Sequence, residues 1–115
     1  DLADKELIKP LIDIPRMADK ATAMLQRSLE AFIDRDAEAA RRVAAQDDEI
    51  DSLYDQVFRE LLTFMIEDPR TITRATRLIW VAHNLERSAD RVTNICERVE
   101  FAITGKMQET KQRSG

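Results

Sequence analysis

The sequence predicts an all-α protein whose three helices form an antiparallel, up-down-up bundle. Glycine and proline are rare: the 115 residues contain two glycines and three prolines, and neither type occurs within 16–68 or 70–104. Sheet proteins need many more turn-forming residues than that. Apolar residues also recur at alternating steps of three and four, which is the period of an amphipathic helix. The links between these helical stretches are short, and short links favour antiparallel neighbours.

Two breaks in the pattern set the helix boundaries. A single helix over 16–68 would be about 80 Å long, so we place a break at Asp34-Arg35-Asp36, where Asp36 can cap the helix that follows. Pro69 ends the next helix because proline cannot continue helical hydrogen bonding, and Gly105 ends the last one. The sequence therefore predicts helices over 14–34, 36–67 and 71–104.

The residues outside these helices divide the chain into three parts. We expect residues 1–13 to be a lead-in segment with at most a short helix, because Pro10 and Pro15 interrupt it. Residues 14–105 form the bundle. Residues 106–115 are polar and are expected to be a flexible tail.

Two of the helices carry continuous apolar seams, and one seam contains an acid. The seam of the last helix alternates small and large residues, which suits close packing: Ala75, Leu78, Ala82, Leu85, Ala89, Val92, Cys96, Val99 and Ile103. The seam of the second helix consists of Val43, Asp47, Ile50, Tyr54, Val57, Leu61 and Phe64. A carboxylate at a core position is costly unless it is paired, protonated or bound to a metal. Asp47 is therefore the first indication of a site.

Two acidic pairs with a spacing of four lie on different helices: Asp47 with Asp51, and Glu86 with Asp90. This spacing places both carboxylates of a pair on one helical face. In an antiparallel hairpin that turns at Pro69, positions 47 and 90 are equally far from the turn, and so are positions 51 and 86. We therefore expect the two pairs to face each other at one level of the bundle.

Four converging carboxylates repel one another unless something neutralises them. Hard oxygen ligands on helices suit iron, manganese, magnesium or calcium. The alternative is a solvated or salt-bridged helix face, in which nearby arginines pair with the acids; these are Arg41, Arg42, Arg87 and Arg91. Weaker candidate ligands extend the two pairs along their helices: Asp55, Asn94 and Glu97.

The other chemically distinctive side chains are expected to be structural. A single histidine, His83, cannot supply the two Glu-x-x-His motifs of a di-iron bundle, so we expect it to face a partner or a neighbouring helix. Cys96 is expected to be a packed thiol. Trp80 is expected in the core, with an anchor at an interface as the alternative. Core positions are also expected for Phe58, Phe64 and Met65.

Composition excludes several classes of protein. Lysine and arginine number 18 against 22 acidic residues, and a net charge of −4 argues against a nucleic-acid-binding domain. No apolar run is long enough for a transmembrane helix, and no signal-peptide pattern opens the chain. A single cysteine excludes an internal disulfide. The pattern fits a cytoplasmic protein, and a start at Asp1 suggests a trimmed chain.

The run LERSADRVTNICE at 85–97 resembles the signature helix of the PhoU family, L-E-R-x-x-D-x-x-x-N-I-x-E. The stretch from Asp47 to Asp51 is similar to the other acidic motif of that family. The resemblance covers roughly 14–105, which is one PhoU repeat, and the run at 97–105 is most similar to the second of the family's two repeats.

This resemblance implies a function. Members of the PhoU family are cytoplasmic regulators built from two tandem three-helix bundles. They act with the phosphate ABC transporter and with the phosphate-sensing histidine kinase, and they limit uptake when phosphate is plentiful. Some bind multinuclear iron or other divalent or trivalent metals through acidic motifs that map here onto Asp47, Asp51, Glu86 and Asp90. Because this chain holds one repeat, the resemblance also implies self-association or pairing with a second repeat.

We therefore expect a metal-binding adaptor and not an enzyme. Two alternatives stay open at this point. The first is a structural helical interaction module without metal. The second is a carboxylate-bridged metal enzyme, which oxidase activity with added Fe(II) would reveal.

Overall fold

The computed structural model describes residues 8–105, and every regular element in that range is helical. The elements are α1 (Ile8–Asp34), α2 (Ala37–Ala45), α3 (Asp47–Glu67), a 3₁₀ turn (Pro69–Thr71) and α4 (Ile72–Thr104). α2 and α3 follow each other closely and together form the second of three bundle segments. The all-α three-helix bundle is thus confirmed, whereas the expected tail at 106–115 lies outside the described residues.

The first helix is longer than the sequence predicts, because it begins at Ile8 and not at residue 14. Pro10 lies in its first turn, where no backbone N–H is needed. Pro15 lies inside the helix and has no N–H to donate to the carbonyl of Leu11. Both residues are exposed. Solvent on this side of α1 can replace the missing hydrogen bond, so the two prolines do not interrupt the helix.

The break between α1 and α2 occurs where the sequence predicts it. Arg35 adopts a left-handed φ of 53°, and the N–H of Asp36 donates to the carbonyl of Ala31 at 2.9 Å. The Asp36 carboxylate then accepts a hydrogen bond from the N–H of Ala39 at 3.0 Å, which caps α2.

A second break, at Gln46, divides the predicted second helix. The N–H of Gln46 bonds to the carbonyl of Val43 at 3.0 Å, a tightened last turn, and α3 begins at Asp47. Gln46 is neither glycine nor proline, so the local signal for this break is only the acidic run of the turn that follows.

The hairpin between α3 and α4 is closed by Asp68 and Pro69, as predicted. The Asp68 carboxylate accepts hydrogen bonds from both the backbone and the side chain of Arg70. At the far end of α4, Gly105 takes a left-handed φ of 76°, and its N–H bonds to the carbonyl of Phe101 at 2.7 Å.

Ion pairs between helices show the antiparallel alignment. Lys20 on α1 contacts Glu49 on α3 at 2.7 Å, while Lys9, earlier on α1, contacts Glu60, later on α3, at 3.8 Å. α4 in turn runs antiparallel to the second segment, so α1 and α4 are parallel.

Both predicted seams face the core. The residues of the α4 seam are buried or packed against buried neighbours, and the same holds for the apolar residues of the second-segment seam. Two expectations are wrong: Trp80 is 68% exposed, and Phe58 is 38% exposed. Trp80 lies two positions after Leu78, which turns it about 200° away from the α4 seam. Phe64 and Met65 pack against the core as expected.

Substituting Leu61 tests this core. Leu61 is fully buried, whereas its neighbour Leu62 is 40% exposed on the same helix. We expect Leu61→Ala to lower the free energy of unfolding by about 3 kcal/mol, because it leaves a cavity. Leu62→Ala should lower it by less than about 1 kcal/mol. Urea denaturation followed by circular dichroism measures both values, and equal losses would contradict the assigned packing.

Candidate metal centre

Three carboxylates from α3 and α4 converge at the level that the sequence predicts. One oxygen each of Asp47, Asp51 and Asp90 lies within 4.8 Å of the other two. Asp47 is buried at 7% exposure, Asp51 is half-buried and Asp90 is exposed. The group therefore opens from the helix interface towards solvent.

Glu86 lies beside Asp51, but it is not among the carboxylates whose oxygens lie within 4.8 Å of one another. It lies within hydrogen-bonding reach of Asp51, and this contact contributes to a raised pKa of Glu86 and partly offsets the rise at Asp51. Burial, followed by the charges of Asp51 and Asp90, raises the pKa of Glu86 to about 7. Burial and the charge of Asp90 also raise the pKa of Asp51. The acid cluster, defined as Asp47, Asp51, Glu86 and Asp90, thus resists full ionisation.

The acid cluster lies at the start of α3, directly after the break at Gln46. Asp47 is the first residue of α3, and the first turn also contains Asp48 and Glu49. The positive end of the helix dipole stabilises carboxylates in a first turn. A continuous helix through residue 46 would lack this end, so the break makes a buried carboxylate at position 47 less costly.

Aromatic residues border the acid cluster on the side of the hairpin. The ring of Tyr54 lies 6.0 Å from the ring of His83 and 6.1 Å from that of Phe58. Burial, followed by the charge of Glu86, raises the pKa of the Tyr54 hydroxyl. His83 thus makes the inter-helical contact that the sequence analysis expects. The sequence analysis missed the position of Tyr54 beside Glu86, although the seam placed Tyr54 on the face that α4 covers.

The weaker candidates are less closely associated with the acid cluster. Asp55 is exposed, and its charge contributes to the raised pKa values of Asp51 and Glu86. Asn94 is exposed and Glu97 is half-buried. Among residues 8–105, the group of carboxylates close enough to share one cation contains neither Asp55 nor Glu97.

The predicted arginine partners do not neutralise the acid cluster. Arg41 contacts Glu100 at 2.8 Å, and Arg42 reaches Glu38 at 4.0 Å. Within the described range, no ion pair closer than 4.0 Å joins Arg87 or Arg91 to an acid. The structure therefore does not support the salt-bridged alternative at these positions.

The residues present fit a hard metal cation. Oxygens that bind one such cation at about 2.0–2.6 Å lie within about 5 Å of each other, and the oxygens of Asp47, Asp51 and Asp90 satisfy this limit. A cation would also remove the repulsion that raises the pKa of Glu86. The cluster contains only carboxylates, which favours iron, manganese, magnesium or calcium over copper.

The raised pKa of Glu86 predicts a pH dependence of stability for the metal-free protein. Between pH 4.5 and about 7 the folded state holds a proton that the unfolded state releases. The free energy of unfolding should therefore fall as the pH rises through this window. Thermal melts from pH 4.5 to 8 measure the slope, and Glu86→Gln should flatten it.

A matched control uses Glu49, whose pKa the hydrogen bond from Lys20 lowers. Glu49→Gln should leave the slope between pH 4.5 and 7 unchanged. A Glu86→Gln protein with the slope of the unmodified chain would contradict the assigned proton.

Comparison with known proteins places the chain in a family. The PhoU domain matches residues 14–99. The phosphate-specific transport system accessory protein PhoU homolog of Deinococcus radiodurans is 40% identical over 105 residues, which cover 91% of this chain and 49% of that protein. The protein of the same name from Zymomonas mobilis is 42% identical over 106 residues, covering 92% and 45%. PhoU homolog 1 of Methanothermobacter thermautotrophicus is 36% identical over 104 residues, covering 90% and 48%.

Two facts bear on what this similarity means. The chain spans about half the length of the curated relatives it matches. In the part of the chain that the structure describes, no helix has the length and apolarity needed to cross a membrane. The matched range coincides with the three-helix bundle, and the chain belongs to the PhoU family, of which it forms one repeat.

Proposed function

We propose that this chain regulates phosphate uptake and phosphate two-component signalling as a metal-binding adaptor in the cytoplasm. Its partners would be the phosphate ABC transporter and the phosphate-sensing histidine kinase. The observation that carries this proposal is the similarity, over about 90% of the chain, to proteins named as accessories of a phosphate-specific transport system. An accessory role calls for a binding surface and not for a reaction.

The acid cluster supports a metal with a structural role. Asp47, Asp51, Glu86 and Asp90 would hold one or more iron or other divalent or trivalent ions between α3 and α4. The bound charge would replace the proton on Glu86 and tie the two helices together. A di-iron enzyme of the carboxylate-bridged type uses two Glu-x-x-His motifs, and this chain has one histidine. This composition favours an adaptor over an enzyme.

Neutralising the acid cluster tests the metal site. The variant with Asp47→Asn, Asp51→Asn, Glu86→Gln and Asp90→Asn should lose metal binding, as measured by elemental analysis after dialysis. Its metal-free form should be at least as stable as the unmodified chain, because amides keep the shape and lose the repulsion. For the unmodified chain, free metal at 100 times its Kd should add about 2.7 kcal/mol to the free energy of unfolding.

A charge-matched control keeps the experiment interpretable. It changes four exposed acids away from the cluster: Asp19→Asn, Asp34→Asn, Glu30→Gln and Glu67→Gln. This control should bind metal like the unmodified chain. If the cluster variant is strongly destabilised and no metal is found in either protein, the acids stabilise the bundle by other contacts and the metal role is wrong.

The partner role needs a separate measurement. The purified chain, with and without metal, would be mixed with detergent-solubilised phosphate ABC transporter and, in parallel, with the cytoplasmic part of the sensor kinase. We expect the chain to co-elute from a size-exclusion column with the transporter or with the kinase fragment. Failure to bind both, for this chain and for a protein that carries two repeats, would contradict the adaptor role.

We also propose that a second PhoU repeat, on the same or another chain, packs on α1. One side of α1 carries large apolar residues that are at least 43% exposed: Leu11, Leu25, Leu29 and Phe32. No charged residue interrupts this apolar flank, because the charged residues of α1 lie at other helical positions. The chain spans about half the length of its relatives, and the other half of those relatives could cover such an apolar flank.

Sedimentation velocity tests this pairing in the isolated chain. We expect concentration-dependent dimers, and the double variant Leu29→Glu, Phe32→Glu should raise the dimer Kd at least about tenfold, because it places charges in an apolar contact. Leu62→Glu, on an exposed position of α3, is the control and should dimerise normally. A chain that stays monomeric at high concentration would contradict the proposal.

A further inference from the structure

The outer face of α4 concentrates positive charge around one tryptophan. Arg77, Trp80, Arg87, Arg91 and Arg98 follow one another at steps of three, seven, four and seven residues, which bring them to one side of a helix. All five side chains are exposed, and the exposed fraction of Trp80 is 68%. We call the four arginines with Trp80 the arginine stripe.

Acidic residues are absent from this side of α4. Glu86 and Asp90 face α3 in the acid cluster, and Glu97 is half-buried. Glu100 is buried and contacts Arg41. The helix thus separates its charges, with carboxylates on the inner side and guanidinium groups on the outer side, in a chain whose net charge is −4.

The guanidinium groups of the arginine stripe are available for a partner. Between residues 8 and 105, the structure contains no ion pair closer than 4.0 Å for Arg77, Arg87, Arg91 or Arg98. Arginine binds carboxylates with two parallel hydrogen bonds, and its weak hydration makes burial in an interface less costly than for lysine. Tryptophan and arginine are also the residues most enriched among the energetic centres of protein interfaces.

We propose that the arginine stripe is the docking surface for an acidic, amphipathic helix of a partner protein. Carboxylates of that helix pair with Arg87, Arg91 and Arg98, and an apolar residue packs on Trp80. The stripe from Trp80 to Arg98 is about 27 Å long, which matches a partner helix of about 18 residues.

A narrow partner fits this surface better than a membrane does. Anionic headgroups would spread over the neighbouring side of the bundle and meet the exposed Asp90 of the acid cluster. An acidic helix about 10 Å wide can lie along the stripe without covering that side. The inference rests on the proposed adaptor role, but it uses none of the proposed metal ligands. The docking proposal and the metal proposal can therefore fail separately.

The experiment uses Trp80, the only tryptophan in the chain, as its reporter. The probe is a synthetic helical peptide of about 18 residues, whose glutamates are spaced to oppose Arg87, Arg91 and Arg98 and whose leucine opposes Trp80. A second peptide of the same composition distributes its glutamates around the helix. We expect the first peptide to shift the Trp80 emission to shorter wavelength and the second to bind at least about tenfold more weakly.

Charge reversal identifies the binding side chains. The triple variant Arg87→Glu, Arg91→Glu, Arg98→Glu should weaken binding of the first peptide at least about tenfold. It should instead bind a version of the peptide with lysine in place of glutamate, which shows that the variant is folded. The control triple, Arg27→Glu, Arg42→Glu, Arg59→Glu, changes exposed arginines elsewhere by the same charge and should bind like the unmodified chain.

Any of five results would overturn the proposal. The two peptides could bind equally, or the control triple could lose as much affinity as the stripe triple. Vesicles with about one-third phosphatidylglycerol, or duplex DNA at physiological salt, could shift the Trp80 emission while the acidic peptide does not. Salt-sensitive self-association that only the stripe triple abolishes would assign the stripe to a second copy of the chain.

Discussion

Electrostatic repulsion between α3 and α4 is the constraint on which the rest of this structure depends. Elsewhere in the bundle, each deeply buried acid has a basic neighbour: Asp13 contacts Lys9 at 2.9 Å, and Glu100 contacts Arg41 at 2.8 Å. Among residues 8–105, no such ion pair reaches Asp51, Glu86 or Asp90. The helices nevertheless stay in contact along their seams, and burial together with mutual repulsion raises the pKa values of Asp51 and Glu86.

This constraint links the fold to the proposed regulation. The start of α3 at Asp47 places a helix N-terminus beside the carboxylates, and protonation of Glu86 below its raised pKa of about 7 would relieve part of the remaining repulsion. A bound cation would do the same more completely, and it would fix α4 against α3. Since α4 also carries the arginine stripe on its outer side, the helix that a bound cation would stabilise is the helix that presents the proposed docking surface.

Features that depend on periodicity and local chemistry could be predicted from the sequence. The seams, the cap at Asp36, the hairpin at Pro69 and the matched levels of the acidic pairs all follow from spacing that survives in any regular antiparallel bundle. Features that depend on tertiary context could not. The break at Gln46 is marked only by the acidic run that follows it, α1 tolerates Pro15 because solvent is nearby, and the raised pKa of Glu86 follows from burial that no spacing reveals. The exposure of Trp80 could have been predicted, because its angular offset from the α4 seam places it on the outer face of the helix.

Anomalous diffraction is the most direct test of the proposed metal centre. Crystals grown with iron or manganese would be measured at the absorption edge of that metal. The predicted result is one or more anomalous peaks between α3 and α4, about 2.0–2.6 Å from carboxylate oxygens of the acid cluster. A map without a peak there, in which Glu86 still shares its hydrogen bond with Asp51, would contradict the assignment of these four acids as metal ligands.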